Sequence, residues 1–476
     1  MKPFLLVNAN TVRPPVAPVG LEYAGHALLA AGIPLEVVDL AFEPDWKAAL
    51  ARATAGGPLA VGITVRNTDD CCFATGRSFL PWIAEVVAEA KRTTDAPVVL
   101  GGVGFSTAPQ DVLAATGGDL GVHGEGEQAL VMLARALAGG GGAARVASLP
   151  NLAYRDGPRI RLTPRRSLDL TRMPLPRRRL FDNPRYQREG AMVGIETKRG
   201  CSGSCVFCAD PVAKGKTIRA RPPSIVADEF EDLLSQGVTW FHLCDAEFNI
   251  APLTASDHAR EVCQALISRG LGERVRWFAY CSPAPFDREL ALLMKRAGCA
   301  GINFGVDSLD DAQLKRLGKG FRSADVEAVA GIMKQTGFNY MFDLLFGGPG
   351  ETEATVRTTI EELRRLDVPL AGAAVGVRVY RGTPLWEMAA RGMLTPGLRG
   401  EPSSLTTPLF YAAPELGDDP LSLVASIAGD DPRFMVLAAP SAKGSYNYAG
   451  DEVLTRAIAR GARGAYWDIL RQARSS

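Results

Sequence analysis

The sequence predicts an α/β protein made of two arrays of βα units. An N-terminal doubly wound, Rossmann-like sheet comes first, then a partial (β/α)6 barrel, then a small C-terminal domain. Three observations carry this. Short apolar runs alternate with amphipathic helical stretches from residue 4 to about 140. The same alternation resumes near 190 for six more units. A glycine run and a segment dense in proline and arginine separate the two arrays. A chain of 476 residues exceeds one ordinary core. We divide it into a first domain over 1–140, a linker over 141–188, the barrel over 189–395 and a C-terminal region over 396–476.

In the first array the strand-like runs are FLLVNAN (4–10), PLEVVDL (34–40), LAVGIT (59–64), APVVLGG (96–102) and DLGVHG (119–124). Amphipathic stretches such as SFLPWIAEVVAEAKR lie between them, the signature of βαβ repetition and a parallel sheet. Ligands of such sheets bind at the carboxyl ends of the strands. Those ends carry Gly101-Gly102 and Gly124-Glu125-Gly126-Glu127, and bare backbone there lets a large ligand approach. The run AGGGGAAR (138–145) breaks the pattern, and PNLAYRDGPRIRLTPRR reads as a hairpin leading out of the domain. Barrel strands are expected at 191–197, 239–245, 275–281, 301–307, 339–347 and 371–380, with a helical segment in each gap and the working face at the strand C-termini. The last 75 or so residues are less regular; the aromatics of GSYNYAG and GAYWDIL read either as core packing or as a cap over the barrel mouth.

Lysines and arginines number 53 against 52 acids, so no charge excess points to nucleic acid or anionic lipid. The default is chemistry on a small molecule or peptide. The first apolar run is too short for a signal peptide, and no stretch approaches the roughly 18–20 apolar residues of a membrane span. A cytoplasmic protein is expected, with nine cysteines kept as thiols for a metal or redox site. Cys71, Cys72 and Cys281 read as buried structural thiols.

Three cysteines, Cys201, Cys205 and Cys208, fall within eight residues in the glycine-flanked RGCSGSCVFC. A structural zinc would want a fourth ligand and a second pair, which the remaining cysteines do not form. A 4Fe-4S cube held by three thiolates keeps one iron open for another ligand.

CxxxCxxC just after the first strand of a partial βα barrel, with Phe207 before the third cysteine, resembles the radical S-adenosylmethionine (SAM) superfamily. The resemblance extends to RARPPSIVADEFEDLL, HLCDAEFN, NFGVDSLDDAQLKRLGKG and LLFGGPGET. It implies that SAM chelates the open iron, that Phe207 lies against the adenine, and that Asp245 or Glu247 holds the methionine ammonium. Asp307 and Ser308 are further ribose or carboxylate candidates; the bland reading of all four is strand-end caps and salt bridges. GGPGET reads as a tight turn capping a helix that Glu351 begins, without the Lys-Ser/Thr of a phosphate loop. VVLGGVGFSTAP and DLGVHGEGE, with PVGLEYAGHALLAAG and PNLAYRDG, resemble the cobalamin-binding domain of one radical SAM subfamily, the likeness covering about residues 4–390. Cobalamin contacts are then expected from Thr64, Arg66, Gly101, Gly102, Gly124, Glu125 and Glu127. The alternative is a degenerate domain that only supports the barrel.

None of the four histidines stands in the Asp-x-His-x-x-Gly frame that ligates cobalt from below; His123 comes nearest. Arg66, just past a strand end, is expected under the corrin, where a guanidinium cannot ligate metal. Its alternative is a pair with Asp69 or Asp70. The resemblance implies a cobalamin-dependent C-methyltransferase acting on an unactivated carbon through methylcobalamin and a 5′-deoxyadenosyl radical. It also implies an external electron donor such as flavodoxin or ferredoxin. Cyclisation or rearrangement with the same cofactors, and a non-catalytic corrinoid sensor, are the competing readings.

Overall fold

The computed structural model describes residues 1–140, 143–252, 257–436 and 451–475. The first apolar run forms β1 (Phe4–Asn8), buried along its whole length. Leu5 and Val7 pack with Leu50, Ile83 and Val86 on one face, and Phe4 and Leu6 with Leu28, Val99 and Leu133 on the other. Burial of both faces is what a parallel strand needs between two layers of helices. With β2 (Leu35–Asp39), β3 (Ala60–Thr64), β4 (Val98–Gly101) and β5 (Leu120–Val122) the parallel order is β2-β1-β3-β4-β5. The order reverses at β1/β3, so a crevice opens at the carboxyl ends beside it. Helix α1 (Val19–Ala30) covers one face.

The expected hairpin forms as β6 (Leu152–Asp156) and β7 (Arg159–Leu162), and it joins β5 antiparallel instead of leaving the domain. The sheet therefore continues past residue 140, through the first part of the stretch expected as linker. The connector after it is packed, with Arg178 and Tyr186 fully buried. Arg178 pairs with Glu22 of α1 and, at 2.6 Å, with Glu229 of α2 (Pro223–Ser235), and donates to the Gly194 carbonyl at 2.9 Å. Arg221 joins Glu229 at 2.7 Å and the Tyr23 hydroxyl donates to it at 3.0 Å. One guanidinium thus ties connector, first domain and barrel together.

The barrel strands are β8 (Val193–Ile195), β9 (Trp240–Leu243), β10 (Arg276–Cys281), β11 (Cys299–Asp307), β12 (Tyr340–Phe346) and β13 (Ala371–Val375), all parallel. A seventh, β14 (Phe434–Val436), pairs with β13. It was not among the six expected, because three residues carry too little pattern to separate a strand from a loop. At the amino ends of the strands Phe278 and Met341 pack with Leu454 and with Trp467 and Leu470 of α3 (Tyr466–Ser475), an apolar floor. The aromatics of GAYWDIL are thus core, below the barrel and not over its mouth; GSYNYAG lies outside the described residues. Among the described residues no helix is long and apolar enough to cross a membrane.

Candidate active site

The cysteine loop leaves β8 at the carboxyl end of the barrel. Gly200 makes the turn at φ 95°, and a Cβ there would lie 2.2 Å from the Thr217 carbonyl, so only glycine fits. The loop is tied on three sides: Cys201 N to Gly215 O (3.1 Å), Ser204 Oγ to Gly318 O (2.8 Å), and Leu385 N to Val206 O (2.9 Å). Cys201, Cys205 and Cys208 are all partly buried. Burial pushes each thiol up, Cys208 to about 12, so thiolates here call for a bound metal. Among the described residues no three His, Cys, Asp or Glu side chains converge as a single ion requires. Three thiols on one loop give a cube three ligands on different irons, whereas a structural zinc wants a fourth.

The two acids that the sequence left as alternatives have different surroundings. Asp245 is spent on the barrel itself: it accepts from Thr197 N at 2.9 Å, Thr197 Oγ1 at 2.5 Å and Lys198 N at 3.2 Å. Glu247 reaches over Gly305, its Oε2 is buried without a partner among the described residues, and burial raises its carboxyl to about 7. Asp307 takes φ 65° at the end of β11 and pairs with Lys319 at 2.8 Å. Non-glycine residues in that region mark local strain, found often at functional sites. Ser308 is fully buried, shares a hydrogen bond with Thr359 Oγ1 and accepts from Asp310 N, which is the bland strand-end reading. Phe207 packs against the barrel core. Glu351 does not begin the helix: Thr352 caps one starting at Glu353, and the buried Glu351 accepts from Gly347 and Gly348 N to close the turn.

All seven residues expected for the corrin line one cavity of about 350 Å³ between the first sheet and the barrel. Its opposite wall is Met192, Gly194, His242 and Cys244. A Cβ on Gly101 or Gly126 would meet nothing nearer than 3.8 Å, leaving room for a ligand. Gly102 differs: at φ 105° its Cβ would lie 2.7 Å from Val65 O, so its glycine serves the local fold first. Glu125 and Glu127 reach the cavity, but their carboxylates are held across the domain boundary by Arg219 (2.5 Å) and Arg199 (2.6 Å). His123 is excluded as a metal ligand: Nε2 bonds Thr163 O, Nδ1 accepts from Arg165 at 2.9 Å, and burial pushes it down to about 4. Arg66 donates to Asn67 Oδ1, while Asp69 pairs with Arg378 and Asp70 closes its own loop with Thr75. Cys281 is buried, whereas Cys71 is exposed at φ 53°, its Sγ 2.9 Å from Tyr380 Oη.

Sequence reasoning missed His242, Lys319 and Asp343. Burial pushes the His242 imidazole down to about 4, and its Nδ1, in the cavity wall, has no hydrogen-bond partner among the described residues. Its inward position on a period-two strand was the available signal.

Residues 5–134 match the B12 binding domain family and residues 195–363 the Radical SAM superfamily. A tryptophan 2-C-methyltransferase of Streptomyces laurentii is 35% identical over 79% of this chain and 72% of its own. The chain belongs to the cobalamin-dependent radical SAM methyltransferases. The family member TsrM from Kitasatospora setae, solved with cobalamin and a [4Fe-4S] cluster, superposes with a TM-score of 0.88 at 30% identity, over 100% of this chain and 99% of that one. TsrM with tryptophan and a SAM analogue gives 0.89 at 31%, over 100% and 98%. OxsB, a cobalamin-dependent SAM radical enzyme, shares the fold at 15% identity, TM-score 0.71, over 87% and 64%. The cofactors of this methyltransferase are a 4Fe-4S cluster, SAM and cobalamin.

Proposed function

We propose that the enzyme methylates a ring carbon of tryptophan or a close indole amino acid. The observation that carries this is the superposition along the whole chain on a relative holding tryptophan and a SAM analogue, together with the 35% identity to a tryptophan 2-C-methyltransferase. The barrel interior supports it, since the inward strand residues Gly305, Asp343 and Gly372 keep solvent exposure.

Bound together, the cofactors supply the methyl group and the electrons that move it. The chain's own residues supply position and dryness. Cys201, Cys205 and Cys208 hold the cluster. Glu247, with its spare oxygen, receives the SAM ammonium, while Asp245 only braces Thr197 and Lys198. Phe207 offers a face for adenine. Gly101, Gly126 and Thr64 cradle the corrin, and Arg66 fills the space beneath it, keeping water away without ligating. An external donor of flavodoxin or ferredoxin type restores reducing equivalents. The reading is of a cytoplasmic enzyme, where reducing conditions keep its thiols free.

The test is anaerobic reconstitution with iron, sulfide, cobalamin, SAM and tryptophan. Methylated tryptophan with matching S-adenosylhomocysteine is expected. Equal 5′-deoxyadenosine would report hydrogen abstraction, and its absence a polar transfer to the ring. Turnover without S-adenosylhomocysteine would overturn the proposal.

A further inference from the structure

At mid-height the barrel is not filled by its own side chains. Alternate residues point inward, and Tyr280, Gly305, Asp343, Gly372 and Ala374 keep solvent exposure, while the outward neighbours Phe304, Phe342 and Ala373 are buried. Asp343 stands in the middle of this hollow. Its register partners on both flanking strands are glycine, Gly305 on β11 and Gly372 on β13. Neither register partner places a side chain opposite its carboxylate.

One oxygen of that carboxylate is fixed. Asn303 Nδ2 donates to Asp343 Oδ2 at 3.2 Å, and Asn303 Oδ1 accepts from Trp467 Nε1 at 2.7 Å. An indole N–H can only donate, so Trp467 sets the orientation of the Asn303 amide and turns its NH₂ to Asp343. The relay therefore starts on α3, in the floor of the barrel. Oδ1 has no hydrogen-bond partner among the described residues, and a Cβ on Gly372 would lie 3.4 Å from it. Lys319, the cation that acts on Asp343, is already paired with Asp307. Glu247 adds a second acid facing the same space. The interior thus holds two carboxylates with spare oxygens, and the proposed reaction brings two amino acids, SAM and the substrate, each with one ammonium.

We infer that Asp343 is the specificity residue that receives the α-ammonium of an amino-acid substrate, positioned by Asn303 and Trp467. The inference rests on the indole amino-acid reading and sharpens it: the substrate carries a free amine, and the same residue inside a peptide, where that nitrogen is an amide, is refused.

The experiment measures anaerobic equilibrium binding to the reconstituted holoenzyme of tryptophan, indole-3-propionate (no amine) and 1-methyltryptophan (no ring N–H). Phenylalanine and tyrosine are added with their desamino forms. Wild type should prefer tryptophan over indole-3-propionate by about tenfold or more, the worth of a charge-assisted hydrogen bond. Asp343→Asn should erase that preference, leave indole-3-propionate binding unchanged, and raise KM with little effect on kcat. Trp467→Phe keeps the ring in the floor and should lower the preference several-fold. Equal losses for tryptophan and indole-3-propionate, with 1-methyltryptophan insensitive, would assign Asp343 to the ring N–H and overturn the inference. So would a wild type without amine preference. If tryptophan does not bind at all, the proposed function fails separately, and the amine preference is judged on the other amino-acid pairs.

Discussion

Replacing Arg178 with methionine tests how the two domains are held in register. The guanidinium is fully buried and contacts Glu22, Glu229 and the Gly194 carbonyl. After its removal Glu229 still has Arg221 at 2.7 Å and the Tyr23 hydroxyl at 3.0 Å, so it stays compensated. Among the described residues Glu22 keeps only neutral donors, Asn183 Nδ2 at 3.0 Å and Phe181 N at 3.3 Å. One buried carboxylate therefore loses its counter-charge, which costs about 3–5 kcal/mol. The stranded Gly194 carbonyl adds about 1 kcal/mol. Adding Glu22→Gln removes the stranded charge and should return more than half of the loss. A chain of two domains need not unfold in one step, so the assay is native-state hydrogen exchange of α1 and α2. A loss under about 1 kcal/mol, or no recovery in the double variant, would refute the reasoning, since either result means the buried charges do not depend on one another.

Alanine at Cys201, Cys205 or Cys208 should cut the iron bound after reconstitution severely while leaving circular dichroism unchanged; retention of wild-type iron by the triple variant would refute the ligand assignment. Gly126→Phe should block cobalamin uptake with iron content intact, whereas Gly102→Phe should destabilise the fold itself through the Val65 carbonyl. Arg66→Ala should admit water beneath the corrin and shift the paramagnetic resonance of the Co(II) form; strong nitrogen splitting in wild type would sink the proposal for Arg66. Asp343 is raised to about 7 by burial, so its protonated form is favoured in the fold, and its contribution to stability is lost as pH rises from about 4 to 7. Asp343→Asn should therefore gain melting temperature relative to wild type across that window when ligands are absent; a constant difference would mean that Asp343 does not titrate there.

The legible part of this protein was whatever repeats or clusters locally. Parallel strands buried on both faces write continuous apolar runs, which is why five strands of the first sheet and six of the barrel could be read. Three thiols in eight residues announce their chemistry at any fold. The hairpin at 152–162 was visible as a hairpin, but joining it to β5 depends on an edge formed elsewhere. β14 has three residues and no period to detect. Within the site, HLCDAEFN offered two acids two positions apart. Only the backbone donors that Thr197 and Lys198 aim at Asp245 distinguish the braced one from the spare one. Asp343 carried no mark at all, since its setting consists of two absent side chains on neighbouring strands and a tryptophan 124 positions later.

The floor of the barrel has a consequence for how the protein comes into being. The first sheet is complete by residue 162, and it can form while the ribosome is still at work. The wall facing its cavity, Met192 to Cys244, follows soon after. The barrel stays open underneath until Trp467 and Leu470 have emerged and docked against Phe278 and Met341. Until that moment water has a second way in, and neither a reactive cluster nor a stripped corrin would be sheltered. Maturation with metal and corrin is thus coupled to the docking of α3, and a chain lacking α3 would leave the barrel open from below.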